Sequence, residues 1–189
     1  MPQALDDSLL NALEQQAKTL TDDNWQRAGI GRAEQFQRDE SVRSDSICWI
    51  DGKDQCESDF LHQMDSLRQG LNQRLFMGLF DYESHFAVYS SGQFYQKHID
   101  ALKGRSNRVL STVLYLNQDW QQQEGGELLI YDKAGENVVE QVVPQLGTLA
   151  IFLSEEFPHE VLPAQCTRYS IAGWFRINNN GNNRIDPAN

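Results

Sequence analysis

The chain has 189 residues, of which 27 are acidic and 16 basic, for a net charge of −11. Its length suits a single domain (1–189) with a sizeable core, and 40% hydrophobic residues exclude a disordered chain. So acidic a chain is poorly suited to binding phosphate backbones, which argues against nucleic acid as a partner.

The first half of the chain predicts helices around one long loop. Apolar residues at helical spacing predict an amphipathic helix over 6–20. Residues 23–45 carry many charges, two glycines and few apolar anchors, and predict a loop of a size that is often functional. A short apolar strand is predicted over 46–50, and a second amphipathic helix over 58–79.

The second half predicts strands. Short apolar runs between turn residues place them at 85–90, 108–116, 127–131, 138–143, 148–153, 159–162 and 168–177. Helices followed by strands indicate an α+β, mainly β fold, with helical support over 1–82 and an antiparallel sandwich or barrel over 83–177. Residues 178–189 are polar and rich in asparagine, and we expect a frayed tail.

Cysteine usage and the first residues bear on location. The cysteines Cys48, Cys56 and Cys166 are odd in number and form no CxxC pair, which is typical of reduced thiols. The beginning of the chain lacks the basic and apolar regions of a secretory signal, and no apolar run approaches a membrane span. We therefore expect a cytoplasmic protein without a membrane partner.

Two histidines and one aspartate give the strongest chemical signal. His98 and Asp100 are two residues apart, so on an extended segment they point to the same face. With the distant His159 they form two imidazoles and a carboxylate, the facial triad of non-haem Fe(II) oxygenases. That triad leaves metal positions open for a co-substrate and O₂. Arg168 offers a rigid fork suited to the far end of a dicarboxylate.

The faces of the predicted strands indicate a polar cavity. On the last strand, Arg168 and Trp174 share a face with two small residues, Ser170 and Ala172, which leave room for a ligand. The tyrosines Tyr115 and Tyr89 also lie beside small residues on their own strands. A tyrosine hydroxyl beside small side chains suits a pocket better than a packed wall.

Two further interpretations concern the histidines. Residues 159–168 are predicted to form a hairpin with its turn near 163–165, which would put His159 and Arg168 on neighbouring strands. The other two histidines, His62 and His85, are expected to be structural or solvated, as most lone histidines are.

Longer stretches around these residues carry a family resemblance. They are YQKHID (95–100), LYLNQDW (114–120), GGEL (125–128) and PHEVLPAQCTRYSIAGW (158–174), with VRSDSICWIDG (42–52) before the predicted barrel. They resemble the 2-oxoglutarate- and Fe(II)-dependent prolyl 4-hydroxylases, most of all the branch that modifies the hypoxia-inducible factor, together with its compact bacterial relatives. The likeness extends from about residue 42 to 175. It implies a double-stranded β-helix, a jelly-roll-like barrel.

The resemblance also implies roles for the metal and co-substrate residues. By position, His98, Asp100 and His159 would be the Fe(II) ligands. Arg168 would pair with the C5 carboxylate of 2-oxoglutarate, with Tyr115 donating to the same group. Tyr89 would lie near the end of the co-substrate that chelates the metal.

Substrate contacts follow from the same likeness. Trp174 would line the pocket near the substrate, and Arg108 would lie near the substrate channel. Residues 27–45, which include Arg43, would form a loop that closes over a peptide. The loop before His98 is shorter than in the animal enzymes and residues 29–40 match poorly, so substrate identity is less determined than the chemistry.

The implied activity is hydroxylation of a prolyl residue in a protein by 2-oxoglutarate and O₂, with release of succinate and CO₂ and with ascorbate as reductant. Compact bacterial relatives suggest a translation factor such as elongation factor Tu as the substrate, and we expect a monomer. Two alternatives stay open: a hydroxylase of a free amino acid or other small molecule on the same scaffold, and a non-catalytic sensor that binds metal and 2-oxoglutarate.

Overall fold

The computed structural model describes residues 4–28, 42–101 and 106–178. Within these ranges lie two α-helices and ten strands. They are α1 Asp7–Thr19, β1 Gln26–Arg27, β2 Ser46–Trp49, α2 Gln55–Leu75, β3 Leu79–Tyr89, β4 Tyr95–His98, β5 Arg108–Tyr115, β6 Leu128–Tyr131, β7 Val138–Val142, β8 Leu149–Leu153, β9 His159–Val161 and β10 Arg168–Ile177. Most of the predicted charged loop, and all but the first residue of the predicted tail, lie outside the described ranges.

The two helices pack on one sheet through their apolar faces. Helix α1 begins after Asp6, whose carboxylate accepts a hydrogen bond from the Leu9 amide at 2.9 Å. Helix α2 ends at Leu75, short of the predicted residue 79. It stops there because Phe76 is left-handed and the Asn72 side chain makes two hydrogen bonds of 2.8 Å with the backbone of Leu79.

Two antiparallel sheets make up the rest of the fold. The larger sheet has the order β1-β2-β3-β10-β5-β8, and the smaller has the order β4-β9-β6-β7. One apolar core lies between the helices and the larger sheet, and a second joins residues of both sheets. This arrangement confirms the mainly β, double-stranded β-helix fold with helical support.

The two faces of strand β10 have different surroundings: one packs against the helices and the other lines a cavity. Ile171 and Phe175 are fully buried on the helix side. The alternate residues, among them Arg168 and Trp174, line a cavity on the other side. The predicted assignment of the two faces of this strand is therefore confirmed.

Three predictions of strand position were wrong. Strand β3 begins at Leu79 rather than at residue 85, because its polar first half pairs with the end of β10. Strand β4 was not predicted, since its four residues are exposed or half-buried and it forms the edge of the smaller sheet. Gln26 and Arg27, placed in the loop, pair with β2 as the short strand β1.

The predicted hairpin over 159–168 was also wrong. Strand β9 pairs with β4 and β6, whereas β10 pairs with β3 and β5, so His159 and Arg168 belong to different sheets. The chain crosses between the sheets after β9, and a bridge from Ala164 to Gly125 fixes that crossing. Both side chains line the same cavity, but each reaches it from a different sheet.

The remaining fold-level expectations concern thiols and membranes. Cys48, Cys56 and Cys166 are half-buried, and none of them is bonded to another cysteine. Among the helices that the structure describes, none combines the length and apolar character needed to cross a membrane.

Candidate active site

One cavity between the two sheets collects the predicted site residues. Eight of the nine line it: Arg43, Tyr89, His98, Asp100, Tyr115, His159, Arg168 and Trp174. The ninth, Arg108, lies over the Trp174 ring with its guanidinium carbon 3.6 Å from the ring centroid.

The two histidines and the aspartate come together in the lining of this cavity. His98 and His159 are cross-strand partners in β4 and β9, and Asp100 follows β4 directly. Their candidate ligand atoms all lie within 4.8 Å of one another. The Nε2 atoms of His98 and His159 are 3.5 and 3.6 Å from the two carboxylate oxygens of Asp100.

Both imidazoles are oriented by backbone carbonyls. Nδ1 of His98 is 2.8 Å from the Gln96 oxygen, and Nδ1 of His159 is 3.0 Å from the Phe157 oxygen. Because a carbonyl can only accept, each Nδ1 carries a proton, and Nε2 is the ring nitrogen left for a metal. That tautomer is the one a metal requires, and the donor set fits Fe(II).

The charge states of the buried His159 and Asp100 also suit metal binding. Burial lowers the pKa of His159 to about 4, so its ring is neutral at pH 7. Burial opposes ionisation of Asp100, but the nearby His159 and His98 and a hydrogen bond from Ser111 outweigh it, and the pKa of this carboxyl lies below its usual range. A neutral imidazole and an ionised carboxylate can bind a divalent cation without first losing protons.

Neighbouring side chains fix two of the three candidate ligands, Asp100 and His98. The Ser111 hydroxyl donates to Oδ2 of Asp100 at 2.5 Å, and the Trp174 indole donates to the same oxygen at 3.0 Å. The Tyr95 ring stacks on His98, with centroids 3.5 Å apart and planes 15° apart. The Arg43 guanidinium lies 4.7 Å from the Tyr95 centroid.

Arg43 is itself held by a buried carboxylate. Its Nε and Nη2 donate to the two oxygens of Asp45 at 2.6 and 2.9 Å, and Asp45 is only 1% exposed. Burial disfavours the charged guanidinium, but the hydrogen bonds that Arg43 donates to Asp45 prevail and raise the pKa of Arg43. A bidentate pair of this kind fixes the orientation of the arginine at the cavity.

A second part of the cavity lining has the features of an anion site. Arg168 is 2% exposed, and its Nη1 donates to the Gly126 carbonyl at 3.0 Å. Its Nε and the hydroxyl of Tyr115 are buried with no hydrogen-bond partner among the described residues. Buried polar atoms are nearly always satisfied, so these two atoms indicate a missing acceptor such as a carboxylate.

The tyrosines are protonated donors in this environment. Burial raises the pKa of Tyr115 to about 12, against the opposing effect of Arg168. Burial raises the pKa of Tyr89 as well, and its ring lies 4.3 Å from the Arg168 guanidinium carbon. Both hydroxyls therefore keep their protons at neutral pH.

His85 is a cavity residue that sequence reasoning missed. It is 1% exposed, lines the cavity and lies between the rings of Trp49 and Trp174 at centroid distances of 5.2 and 5.6 Å. The sequence held a signal, since residues 85, 87 and 89 of one strand share a face and Tyr89 had been assigned to the cavity. His62, by contrast, is exposed on α2, as expected.

Comparisons with known proteins agree with this geometry. Residues 84–176 match the 2OG-Fe(II) oxygenase superfamily. A Pseudomonas putida prolyl-4-hydroxylase is 39% identical, with a TM-score of 0.84 over 93% of this chain and 90% of that one. A Trichoplax adhaerens prolyl hydroxylase, solved with a hypoxia-inducible factor oxygen degradation domain peptide fragment, is 30% identical, with a TM-score of 0.81 over 93% of this chain and 81% of that one.

A longer human protein is also similar. Egl nine homolog 1 of Homo sapiens is 32% identical over 143 residues, which cover 71% of this chain and 33% of the human protein. The chain thus spans about a third of the length of that relative. It belongs to the 2OG-Fe(II) oxygenase superfamily, and its relatives there include prolyl hydroxylases.

Proposed function

We propose that the chain is a 2-oxoglutarate- and O₂-dependent Fe(II) dioxygenase that hydroxylates a prolyl residue in a protein. One observation carries the proposal: the His98, Asp100 and His159 cluster shares a cavity with the unpartnered buried atoms of Tyr115 and Arg168. A metal site and an anion site in one cavity suit a co-substrate that chelates at one end and carries a carboxylate at the other.

One group of residues would bind the metal, and another would bind the co-substrate. His98, Asp100 and His159 would hold Fe(II), which, when bound, supplies the O₂ chemistry that couples decarboxylation of 2-oxoglutarate to C–H hydroxylation. Arg168 Nε and the Tyr115 hydroxyl would donate to the C5 carboxylate and thereby orient the co-substrate. The surrounding apolar side chains, such as Leu128 and Val161, exclude stray water.

The substrate would enter where two arginines lie on aromatic rings. Arg43 lies on Tyr95 and Arg108 on Trp174, and each arginine is paired with a carboxylate that fixes its direction. Guanidinium groups held in this way can donate to the backbone carbonyls of an extended peptide. A peptide substrate is also consistent with the relative solved with a peptide fragment. We propose a translation factor such as elongation factor Tu as the first protein to test.

The test is turnover with a defined panel of substrates. The protein is loaded anaerobically with Fe(II) and 2-oxoglutarate, then given O₂ with prolyl peptides, elongation factor Tu or free amino acids, and succinate and product masses are measured. We expect a prolyl residue heavier by one oxygen atom, succinate in equal amount, and neither product from His98→Ala. Succinate with a modified free amino acid would favour the small-molecule hydroxylase, and bound 2-oxoglutarate without turnover would favour the sensor.

Location and assembly belong to the same proposal. The free, half-buried thiols of Cys48, Cys56 and Cys166 suit a reducing compartment, and we propose that the protein acts in the cytoplasm as a monomer. Mass measured in solution at working concentration tests the second statement directly.

A further inference from the structure

A network of charged residues extends the cavity face of the larger sheet beyond Trp174. Arg176 on β10 forms a bidentate pair with Asp81 of β3, at 2.8 and 2.5 Å, and its Nη1 donates to Oε2 of Glu83 at 2.8 Å. The other oxygen of Glu83 accepts from Nε and Nη2 of Arg108 at 2.8 and 2.7 Å. Glu83 is therefore the link between two arginines.

The network leads to a candidate metal ligand. Arg108 lies 3.6 Å from the Trp174 ring centroid, and the Trp174 indole donates to Oδ2 of Asp100. Glu83 and Trp174 are also direct cross-strand partners in β3 and β10. An unbroken series of contacts thus joins Glu83, Arg108, Trp174 and Asp100.

Burial makes these charged contacts necessary to the folded state. Glu83 is 8% exposed and Arg176 is 3% exposed, and charges so far from water persist only when they are paired and hydrogen-bonded. Glu83 holds Arg108 through two contacts to one carboxylate oxygen, with the guanidinium carbon 3.6 Å from the Trp174 ring centroid. A cation on that face draws electron density from the ring and makes its N–H a stronger donor.

We propose that Glu83, together with Arg176, is a positioning residue for Asp100 that acts through Arg108 and Trp174. The inference rests on the proposed metal role of Asp100. With Trp174 and Ser111 both donating to Oδ2, the second oxygen, Oδ1, is the one left for the metal. Ligation through one oxygen keeps the neighbouring metal positions open for the co-substrate and O₂.

The test uses Co(II) as the probe and Glu83→Gln as the variant, because glutamine keeps the shape and removes the charge. We expect the Co(II) dissociation constant to rise about tenfold, the scale known for partners of metal ligands. The indole N–H proton resonance of Trp174, assigned by its loss in Trp174→Phe, should move toward the position of a weaker hydrogen bond even without metal. A purely structural role for Glu83 would leave both values unchanged.

Glu14→Gln is the matched control. Glu14 is 1% exposed and accepts from Lys18 at 2.8 Å and from the Gln118 amide at 3.2 Å, on the helix side of the larger sheet. Glu14→Gln makes the same chemical change at another buried glutamate that has no series of contacts to Asp100. We expect it to lower the unfolding temperature and to leave Co(II) affinity unchanged.

A double-mutant cycle decides whether Glu83 acts through Trp174. In the Trp174→Phe background, Glu83→Gln should have no further effect on Co(II) affinity, because the path is already cut. The same fold-change in both backgrounds would overturn the inference.

If Glu83→Gln does not fold, Arg108→Gln replaces it, since Arg108 is the next residue along the path and the same cycle applies. If the wild-type protein itself does not bind Co(II), that result would instead contradict the proposed function.

Discussion

Tyr115 and Arg168 each bury a polar atom that no described residue satisfies, and the arginine's guanidinium carbon lies 5.4 Å from the tyrosine ring centroid. Both residues come from the larger sheet, where β5 and β10 run side by side and Tyr115 pairs with Ser170. Without an acceptor, each of these two buried donors would carry the free-energy cost of an unmade hydrogen bond. A carboxylate placed between the two donors removes that cost, which makes anion binding and local stability dependent on each other.

Tyr115→Phe should separate these two effects. Removal of an unpartnered buried hydroxyl should leave the free energy of unfolding unchanged or raise it by about 1 kcal/mol. The same change should weaken 2-oxoglutarate binding by about tenfold or more, since a hydrogen bond to a charged group is lost. Chemical denaturation and anaerobic calorimetry measure the two quantities. Parallel losses of stability and affinity would show that the hydroxyl has a structural partner instead.

Arg168→Lys tests the need for a planar fork. Lysine keeps the positive charge but cannot supply Nε and Nη1 in a fixed plane, so we expect a loss of about tenfold in 2-oxoglutarate affinity. Arg168→Ala removes the charge as well, and it should cost about 3–5 kcal/mol of binding. Calorimetry of both variants is the measurement, and an unchanged affinity in Arg168→Ala would remove this residue from the co-substrate site.

Gly126→Ala should disturb the same site through the backbone. Gly126 has a φ of +73°, and an added Cβ would lie 2.8 Å from the Ala164 Cβ and 3.4 Å from Arg168 Cδ. We expect a loss of about 2–4 kcal/mol in stability, from overpacking and a strained φ, together with weaker 2-oxoglutarate binding.

Gly92→Ala is the control for that variant. Gly92 has a φ of +81° but nothing within 4 Å of an added Cβ, so it isolates the backbone strain. It should lose about 1 kcal/mol and retain its affinity for 2-oxoglutarate. Equal behaviour of the two glycine variants would contradict a role for close packing against Arg168.

His85 predicts a defined pH dependence of stability. Burial lowers the pKa of His85 from 6.5 to about 4, so between these pH values the unfolded chain binds more protons than the folded one. Stability from this residue is complete above pH 6.5 and is lost as pH falls toward 4. Between pH 7 and pH 5, the wild-type protein should lose about 2 kcal/mol more unfolding free energy than His85→Gln. Equal losses in the two proteins would show that His85 takes up its proton freely in the folded state.

The sequence predicted which residues line the cavity better than it predicted the connections between the strands. The alternation of side chains along a strand has a period of two, so Arg168, Trp174 and Tyr115 could be assigned to one interior from their own strands alone. Strands such as β5 and β10 contain long apolar runs, and their predicted bounds agree with the structure to within one residue.

What could not be predicted depends on tertiary pairing. The short, polar strand β4 is a strand only because β9 lies beside it, and no local pattern shows this. The turn residues near Pro163 suggested a hairpin, but the chain crosses to the other sheet there. The charged start of β3 resembles a loop in sequence, because Asp81 and Glu83 find their partner, Arg176, 93 or more residues away.

The most direct measurement is the fate of isotopically labelled O₂. The Fe(II)- and 2-oxoglutarate-loaded protein would be given labelled O₂ and a hydroxylatable prolyl substrate, and both products would be analysed by mass spectrometry. We predict one labelled oxygen in succinate and one in the hydroxyl group of the prolyl residue, with neither product formed by His159→Ala. A hydroxylated proline formed without labelled succinate, or by the His159→Ala protein at the wild-type rate, would contradict it.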